Sequence, residues 1–138
     1  FKKIVRLLTA RKIRVAVLSD NFDYILKRIL NYNSIRNLKV YSNKLQFVKD
    51  RLIPRFPFRS KKCQACAHCK TKNLLANVAQ DSIIIYVGDG RSDICPSQYA
   101  DIVFAKEDLL KYFQEKKLTC FAYKSLKDVY TYFKRSFV

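Results

Sequence analysis

The pattern of apolar and polar positions in the first half of the chain predicts helices in alternation with short strands. Phe1–Lys12 and Phe22–Leu30 carry their apolar side chains at helical spacing, with Lys and Arg on the opposite face. Asn21 precedes the second helix, where its side chain could act as the N-cap. The remaining segments predict strands at Ile13–Leu18 and Leu38–Ser42, then a β-hairpin of Leu45–Val48 and Leu52–Phe58 that turns near Asp50, with Pro54 and Pro57 marking an edge.

The second half continues the alternation after a basic, Cys-rich loop at Ser60–Lys72. The pattern predicts strands at Ser82–Val87, Asp101–Phe104 and Leu118–Phe121, and helices at Leu74–Ala79, Ser92–Tyr99, Glu107–Gln114 and Leu126–Phe133. Strands that alternate with helices are typical of βα units and a parallel sheet. We therefore expect an α/β fold, with residues 1–138 forming one Rossmann-like, three-layer α/β/α domain around a parallel sheet. Residues 44–62, the hairpin and part of the Cys-rich loop, would be an insertion.

Composition adds two constraints. Apolar residues make up 49% of the 138, which is enough for a core, and no window approaches the ~18–20 uncharged apolar residues of a bilayer span. Neither a membrane segment nor a secretory signal is expected. Lys and Arg total 28 against 11 acidic residues, a formal charge of +17. Such a charge suits a phosphate-bearing ligand, a nucleic acid or a solubilising surface, and it does not by itself decide between them.

Two predicted strands end in residues that suit chemistry. Ser19-Asp20-Asn21 follows the first strand, and Gly88–Asp93 follows the most apolar one. Polar groups at the carboxyl ends of parallel strands are typical of ligand sites in open sheets. Asp89 and Asp93 lie about one helical turn apart, so both carboxylates could face one point and hold a hard cation such as Mg²⁺. The alternative is a Gly-Asp-Gly turn with Ser92 or Asp93 as a helix cap.

The run from Ile85 to Pro96, Ile-Tyr-Val-Gly-Asp-Gly-Arg-Ser-Asp-Ile-Cys-Pro, resembles the haloacid dehalogenase superfamily of phosphoryl-transfer enzymes. Together with Ala100–Leu110 it resembles the phosphoserine-phosphatase-like branch, and within it the methionine-salvage phosphatases. The resemblance extends from Phe1 to about Val129 and includes Cys66–Lys70.

The resemblance implies a role for each matching position. Ser19 corresponds to the hydroxyl that binds the transferring phosphoryl group, and Lys70 to the lysine that neutralises it. Asp89 and Asp93 correspond to the carboxylates that place Mg²⁺. Asp20, Asn21 and Gly90 would complete the phosphate site. Where the family's second motif continues with Gly, this chain has Asp20, and a simple turn role for it is an equal alternative.

The family's nucleophile is the first Asp of an Asp-x-Asp motif, which this sequence does not contain. The sequence also begins with Phe and has no Met. We therefore expect the nucleophile and part of the cap upstream of Phe1, and expect the 138-residue chain alone to be inactive. The alternative is a catalytically dead relative or a phosphotransferase.

Cys63, Cys66 and Cys69 form a C-x-x-C-x-x-C run with His68 beside them. Thiolates at this spacing can hold Zn²⁺ or an iron–sulfur cluster, although free thiols or a disulfide stay open. Five Cys without a signal peptide favour a reducing, cytoplasmic compartment. His68 alone is expected at the surface, and Tyr123 is expected to pack between helices and sheet.

Basic and aromatic residues alternate on the hairpin and the loop after it. This pattern suits a half-buried hairpin with a solvated face, steering of a phosphorylated substrate, or stacking on single-stranded nucleic acid. The leading hypothesis is a magnesium-dependent phosphatase with a small phosphorylated substrate. The rival is a basic, zinc-supported nucleic-acid-binding module. The residues of this pattern are Arg51, Arg55, Phe56, Phe58, Arg59, Lys61 and Lys62.

Overall fold

Helices and strands alternate along the chain as the hydrophobic pattern predicts. The computed structural model describes residues 1–61 and 68–137. Its helices are α1 (Lys2–Ala10), α2 (Asp23–Tyr32), α3 (Lys70–Leu75), α4 (Ile94–Ser97), α5 (Glu107–Glu115) and α6 (Leu126–Ser136), with a 3₁₀ turn at Arg91–Asp93. Its strands are β1 (Ala16–Phe22), β2 (Lys39–Val48), β3 (Arg51–Arg55), β4 (Ile85–Gly88), β5 (Ile102–Ala105) and β6 (Phe121–Ala122).

The chain divides into two compact units. The N-terminal unit comprises Lys2 and Ile4–Ala76, and the C-terminal unit comprises Phe1, Lys3 and Asn77–Val138. Both units combine parallel strand pairs with helices. The predicted mixed α/β class of Rossmann-like type is therefore confirmed.

The sheet of the N-terminal unit has the order β1-β2-β3. Strands β1 and β2 run parallel, in register from Ala16 opposite Lys39 to Ser19 opposite Ser42. The register then shifts between Ser19 and Phe22, and Phe22 lies opposite Asn43. This bulge leaves Asp20 and Asn21 outside the regular ladder, where their backbone groups can turn toward other partners.

The hairpin is confirmed, but its first strand is longer than predicted. β2 runs without a break through Asn43 and Lys44, and pairs antiparallel with β3 from Lys44 onward. Asn and Lys are depleted in strands, which is why the sequence suggested a break there. Pro54 lies in β3, the edge strand, where a missing N–H costs no ladder bond.

The sheet of the C-terminal unit has the order β4-β5-β6 with parallel pairing throughout. Its core is the buried cluster of β5 and α5, joined by partly buried side chains from the surrounding segments. The fully buried members are Val103, Ala105, Leu109 and Phe113. The apolar face of α5 thus covers the sheet, as its helical periodicity predicts.

Several predicted boundaries are wrong. Asn21 is not the N-cap of α2: it lies in β1, and Phe22 occupies the cap position without a side-chain bond. α3 begins at Lys70, inside the predicted loop, and ends at Leu75. β4 begins at Ile85 rather than Ser82, and the last strand is only Phe121–Ala122. Within the described ranges, no helix is both long and apolar enough to cross a membrane.

Candidate active site

The loop after β4 is organised around one buried carboxylate, Asp93, whose residue is 5% exposed. The amide N–H groups of Asp89 and Gly90 donate to its Oδ2, at 3.1 and 3.0 Å. The hydroxyl of Tyr86 donates to its Oδ1 at 2.8 Å. Three donors therefore converge on this one side chain, and two of them tie the backbone at Asp89 and Gly90 to the buried carboxylate.

Gly88 is required by this arrangement. A Cβ on Gly88 would lie 2.8 Å from both Cβ and Cγ of Asp93, closer than side-chain carbons approach. A Cβ on Gly90 would have Oδ2 of Asp93 as its nearest neighbour, at 3.9 Å, which is an ordinary contact. Gly88 therefore admits the buried carboxylate, and any larger residue there would displace it.

Asp89 differs from Asp93 because it is exposed. Within residues 1–61 and 68–137, no hydrogen bond or ion pair to its carboxylate is present. The negative charge of Asp89 nevertheless affects the pKa of a neighbouring tyrosine. Burial, followed by the charges of Asp89, Asp93 and Glu107, raises the pKa of Tyr123 to about 12.

Tyr123, expected from the sequence to have a packing role only, also contributes a hydrogen bond near this turn. It follows β6 directly, and its hydroxyl donates to the carbonyl of Gly88 at 3.4 Å. Because its pKa is raised, the phenol stays protonated and remains a donor at any physiological pH. Tyr123 comes just after a predicted strand, as Asp89 does after β4. Since polar groups at strand ends often form sites, this position could have indicated a role for its hydroxyl.

The donor set fits a hard cation. Mg²⁺ is typically bound in proteins by one or two carboxylates together with waters and substrate oxygens. Asp89 offers an exposed carboxylate, and Asp93 is a carboxylate fixed beside it by the same turn. Within the described ranges, no group of three or more His, Cys, Asp or Glu side chains is gathered for a metal.

The end of β1 carries the second set of predicted residues. The amide N–H of Asn21 donates to the hydroxyl of Ser19 at 3.2 Å, and the side-chain oxygen of Asn21 accepts from the N–H of Phe22 at 2.7 Å. These local bonds curl the chain at the bulge. Ser19 therefore lies at the bulge inside β1, not after the strand as predicted, and its phosphate-binding role stays a prediction.

Lys70 reaches the same turn from another part of the chain. It is the first residue of α3, only 9% exposed, and its Nζ lies 3.4 Å from Oδ2 of Asp20. A buried ammonium beside a half-exposed carboxylate gives this end of β1 a local pair of opposite charges. The structure thus brings Ser19, Asp20, Asn21 and Lys70 together.

His68 is not a surface residue, contrary to the sequence expectation. It is 0% exposed, and its Nδ1 lies 2.8 Å from the carbonyl oxygen of Ser19. Burial is the main cause of a lowered pKa, so the ring is neutral at pH 7. Because its partner lies 49 residues away, nothing in the local pattern could indicate the burial.

The proposed zinc ligands are only partly covered by the structure. Cys63 and Cys66 lie outside the described residues, as does Lys62 at the end of the predicted insertion. Cys69 precedes α3 and has a free thiol. The zinc hypothesis therefore stays a prediction.

Comparison with known proteins matches residues 1–126 to a family described as Putative Phosphatase. The chain is 26% identical over 131 residues to the 2-hydroxy-3-keto-5-methylthiopentenyl-1-phosphate phosphatase of Bacillus pumilus, covering 94% of this chain and 56% of that protein. It is 37% identical over 81 residues to the phosphoethanolamine/phosphocholine phosphatase of Gallus gallus, covering 50% of this chain and 30% of that protein. The chain thus spans less than two thirds of either relative, and the phosphatase resemblance is confirmed.

Proposed function

Since the chain belongs to the family described as Putative Phosphatase, we propose that the whole protein is a magnesium-dependent phosphomonoester hydrolase. The reaction would proceed through an aspartyl-phosphate intermediate on a small phosphorylated metabolite. The single observation that carries the proposal is the turn after β4. There the buried Asp93 fixes the backbone of Asp89, whose own carboxylate stays exposed.

In this proposal Asp89 and Asp93 would hold the magnesium ion. A bound Mg²⁺ supplies positive charge that offsets the negative charge of the phosphoryl oxygens. Asp93 also keeps its second task, which is to accept the N–H groups of Asp89 and Gly90. A carboxylate anchored in this way loses little freedom when a cation binds, which favours the bound state.

The residues at the end of β1 would bind the phosphoryl group. The hydroxyl of Ser19 donates to a phosphoryl oxygen, and the ammonium of Lys70 offsets its charge. Asp20 and Asn21 would contribute from the bulge, and Gly90 from the turn after β4. Phosphoryl transfer needs little more than position and charge neutralisation, so these roles account for most of the required chemistry.

The nucleophile of the proposed reaction is the first Asp of an Asp-x-Asp motif upstream of Phe1 in the whole protein. Its carboxylate oxygen would form a bond to phosphorus while the bond from phosphorus to the substrate oxygen breaks. Water would then hydrolyse the acyl phosphate and release inorganic phosphate. The 138-residue chain contains no Asp-x-Asp, so we propose that it is inactive alone.

The substrate class is a small phosphomonoester, as the names of the relatives indicate for those proteins. The strongly basic sequence suits attraction of such an anion. A cytoplasmic location is part of the same proposal, because five cysteines suit a reducing compartment.

The test measures phosphate release from p-nitrophenyl phosphate by the whole protein, with Mg²⁺ varied. We expect hydrolysis that requires Mg²⁺, and a loss of more than ~100-fold in Asp89→Asn, since one carboxylate ligand becomes a neutral amide. Asp81→Asn is the matched control: Asp81 is exposed, and its positive φ of 65° is a conformation that Asn adopts readily. Wild-type protein without hydrolysis, or Asp89→Asn as active as Asp81→Asn, would reject the proposal.

A further inference from the structure

Two consecutive carbonyl groups at the end of β1 are each held by a fully buried polar side chain. The carbonyl of Ser19 lies 2.8 Å from Nδ1 of His68, and the carbonyl of Asp20 accepts from Nδ2 of Asn43 at 2.7 Å. His68 is 0% exposed and Asn43 is 1% exposed. Burying a polar side chain costs free energy unless it is hydrogen-bonded. Two such side chains bonded to consecutive carbonyls therefore indicate that this part of the backbone is held in place by design of the fold rather than by chance.

The hydrogen positions on His68 follow from its neighbours. The Ser19 carbonyl can only accept a hydrogen bond, so Nδ1 carries the proton. Nδ2 of Asn73 lies 3.4 Å from the carbonyl of Cys69, which also can only accept, so the amide nitrogen faces that side. The same nitrogen lies 2.8 Å from Nε2 of His68 and donates to it. His68 is therefore a neutral imidazole with its proton on Nδ1.

We propose that His68 is a positioning residue of the phosphate-binding turn: through the Ser19 carbonyl it sets the direction of the Ser19 hydroxyl and of the following peptide. A peptide unit is planar and trans, so its N–H points away from its carbonyl oxygen. When the Ser19 carbonyl is fixed toward His68, the N–H of Asp20 is directed to the opposite side. Asn43 fixes the next peptide in the same way. The inference rests on the proposed function, because it assigns the turn to the binding of a phosphoryl group.

The same histidine also ties Lys70 to the turn. The segment from His68 to Lys70 is attached to β1 at two points: the imidazole at the Ser19 carbonyl and the ammonium at the Asp20 carboxylate. The N–H of Cys69 adds a third bond, to the carbonyl of Phe58 at 2.8 Å. Because the first two attachments are only two residues apart in sequence, loss of one loosens the other. His68 therefore places both the hydroxyl and the ammonium, and touches neither the substrate nor the reacting atoms.

The experiment compares two substitutions of His68 in the whole protein. His68→Asn keeps an N–H donor at the position of Nδ1, whereas His68→Leu keeps the branched shape and removes the donor. We expect His68→Leu to raise the KM for p-nitrophenyl phosphate and the inhibition constant of inorganic phosphate at least ~30-fold, with a smaller change in kcat. His68→Asn should stay within about fivefold of the wild type for both constants.

A destabilising variant away from the turn separates positioning from stability. Val129→Ala removes buried apolar volume from α6 in the C-terminal unit and should lower the thermal midpoint without changing the inhibition constant of phosphate. The proposal is overturned if His68→Leu binds phosphate as the wild type does, or if His68→Asn is no better than His68→Leu.

A spectroscopic measurement keeps the proposal testable when a variant does not fold. The ¹⁵N spectrum of the wild-type imidazole at pH 7.5 should report a protonated Nδ1 and an unprotonated Nε2. A ring protonated on Nε2, or on both nitrogens, overturns the inference whatever the activity. If the wild type shows this tautomer but releases no phosphate, the proposed function is rejected, whereas the hydrogen bond from His68 to the Ser19 carbonyl is supported.

Discussion

The turn after β4 and the bulge at the end of β1 are held by different physical means. The turn after β4 is held by one buried charge, Asp93, whose donors lie within seven residues of it. In the bulge of β1 the carbonyls of Ser19 and Asp20 are held by neutral buried side chains, His68 and Asn43, which lie 49 and 23 residues away. The ammonium of Lys70, beside the Asp20 carboxylate, adds an ion pair from an equally distant segment. A turn whose partners are close in sequence can be predicted from a short motif, whereas a bulge held by distant side chains cannot.

The two halves of the sequence also differ in charge. Residues 1–76 contain 19 Lys and Arg against 3 acidic residues, so 19 − 3 gives +16. Residues 77–138 contain 9 against 8, so 9 − 8 gives +1. The excess positive charge thus belongs to the part of the chain proposed to bind phosphate, and the proposed cation ligands belong to the nearly neutral part. This distribution suits attraction of an anion to the first region, whereas any attraction of a cation in the second must come from local carboxylates rather than from net charge.

The largest expected effect comes from Gly88→Ala. This substitution tests whether the turn after β4 depends on the close approach of the Asp93 side chain to the backbone of Gly88. The added Cβ would lie 2.8 Å from two carbons of Asp93, so the carboxylate must move. Overpacking of this kind costs about 1–3 kcal/mol, and we expect at least a ~100-fold loss of magnesium-dependent phosphate release. Urea unfolding and the p-nitrophenyl phosphate assay measure the two effects. Gly90→Ala, with 3.9 Å available, should unfold at nearly the wild-type urea concentration, and equal destabilisation by both variants would contradict the geometry.

Tyr86→Phe should have the next largest effect, because it removes one donor from the buried carboxylate of Asp93. Loss of a bond to a buried charged group costs about 1–3 kcal/mol. We also expect weaker activation by Mg²⁺, since Asp93 becomes less well fixed. Urea unfolding and a Mg²⁺ titration of activity are the measurements. Tyr99→Phe changes an exposed tyrosine and serves as the control; a wild-type Mg²⁺ response in Tyr86→Phe would argue against the anchoring role.

The stability of the protein as a function of pH should report on the burial of His68. Burial lowers the pKa of His68 below 6.5, with Lys70 acting in the same direction and the Ser19 carbonyl and Asp20 opposing it. Below pH 6.5 the unfolded chain therefore takes up a proton that the folded ring resists, so stability is complete above this pH and declines as the pH falls below it. Urea unfolding at pH 7.5 and 5.5 should show a smaller loss for His68→Asn than for the wild type. Parallel losses in the two proteins would show that His68 does not titrate in this way.

The smallest effect is expected for Tyr123→Phe at high pH. The pKa of Tyr123 is raised to about 12, so between pH 10 and 12 the unfolded chain loses a proton that the folded chain keeps. The stability of the wild type should therefore fall as the pH rises through this window, and the variant should lack this part of the decline. Near pH 7.5 the variant should lose only about 0.5–1.5 kcal/mol, the value of one hydrogen bond. Tyr32→Phe, which alters a tyrosine that is 91% exposed, should follow the wild-type pH profile.

Much of the C-terminal unit could be predicted from the sequence because its information is local. The apolar run before Gly88 and the periodicity of α5 each specify their structure within a few residues. Asp93 caps the 3₁₀ turn by accepting from the N–H of Gly90, which is the alternative that its sequence position left open. The error at β6 is small and lies in its boundary. For Tyr123 the sequence indicated packing only, because no local pattern shows that its hydroxyl bonds to the carbonyl of Gly88, 35 residues away.

Less of the N-terminal unit could be predicted, for a physical reason that His68 illustrates. A lone histidine in a basic, Cys-rich segment has the local pattern of a surface residue, and only the fold brings the Ser19 carbonyl to it. Asn21 has a side chain that often caps helices, but its backbone lies in the bulge of β1, one residue before the cap position of α2. Lys70 was placed at the site of Ser19 by family resemblance alone, and its ammonium does lie beside Asp20, although its position at the start of α3 was not expected.

Strand β2 changes its pairing partner at a single peptide bond. Asn43 is the last residue opposite β1, and Lys44 is the first opposite β3. Beyond Asn43 the chain is still tied to the parallel part, because the N–H of Leu45 donates to Oδ1 of Asp23 at 3.2 Å and the carbonyl of Phe58 accepts from the N–H of Cys69. The turn between Val48 and Arg51 makes neither of these contacts. We therefore expect the tip of the hairpin at Lys49 and Asp50, rather than the whole hairpin, to accept a different length or sequence without disturbing the bulge that begins at Ser19.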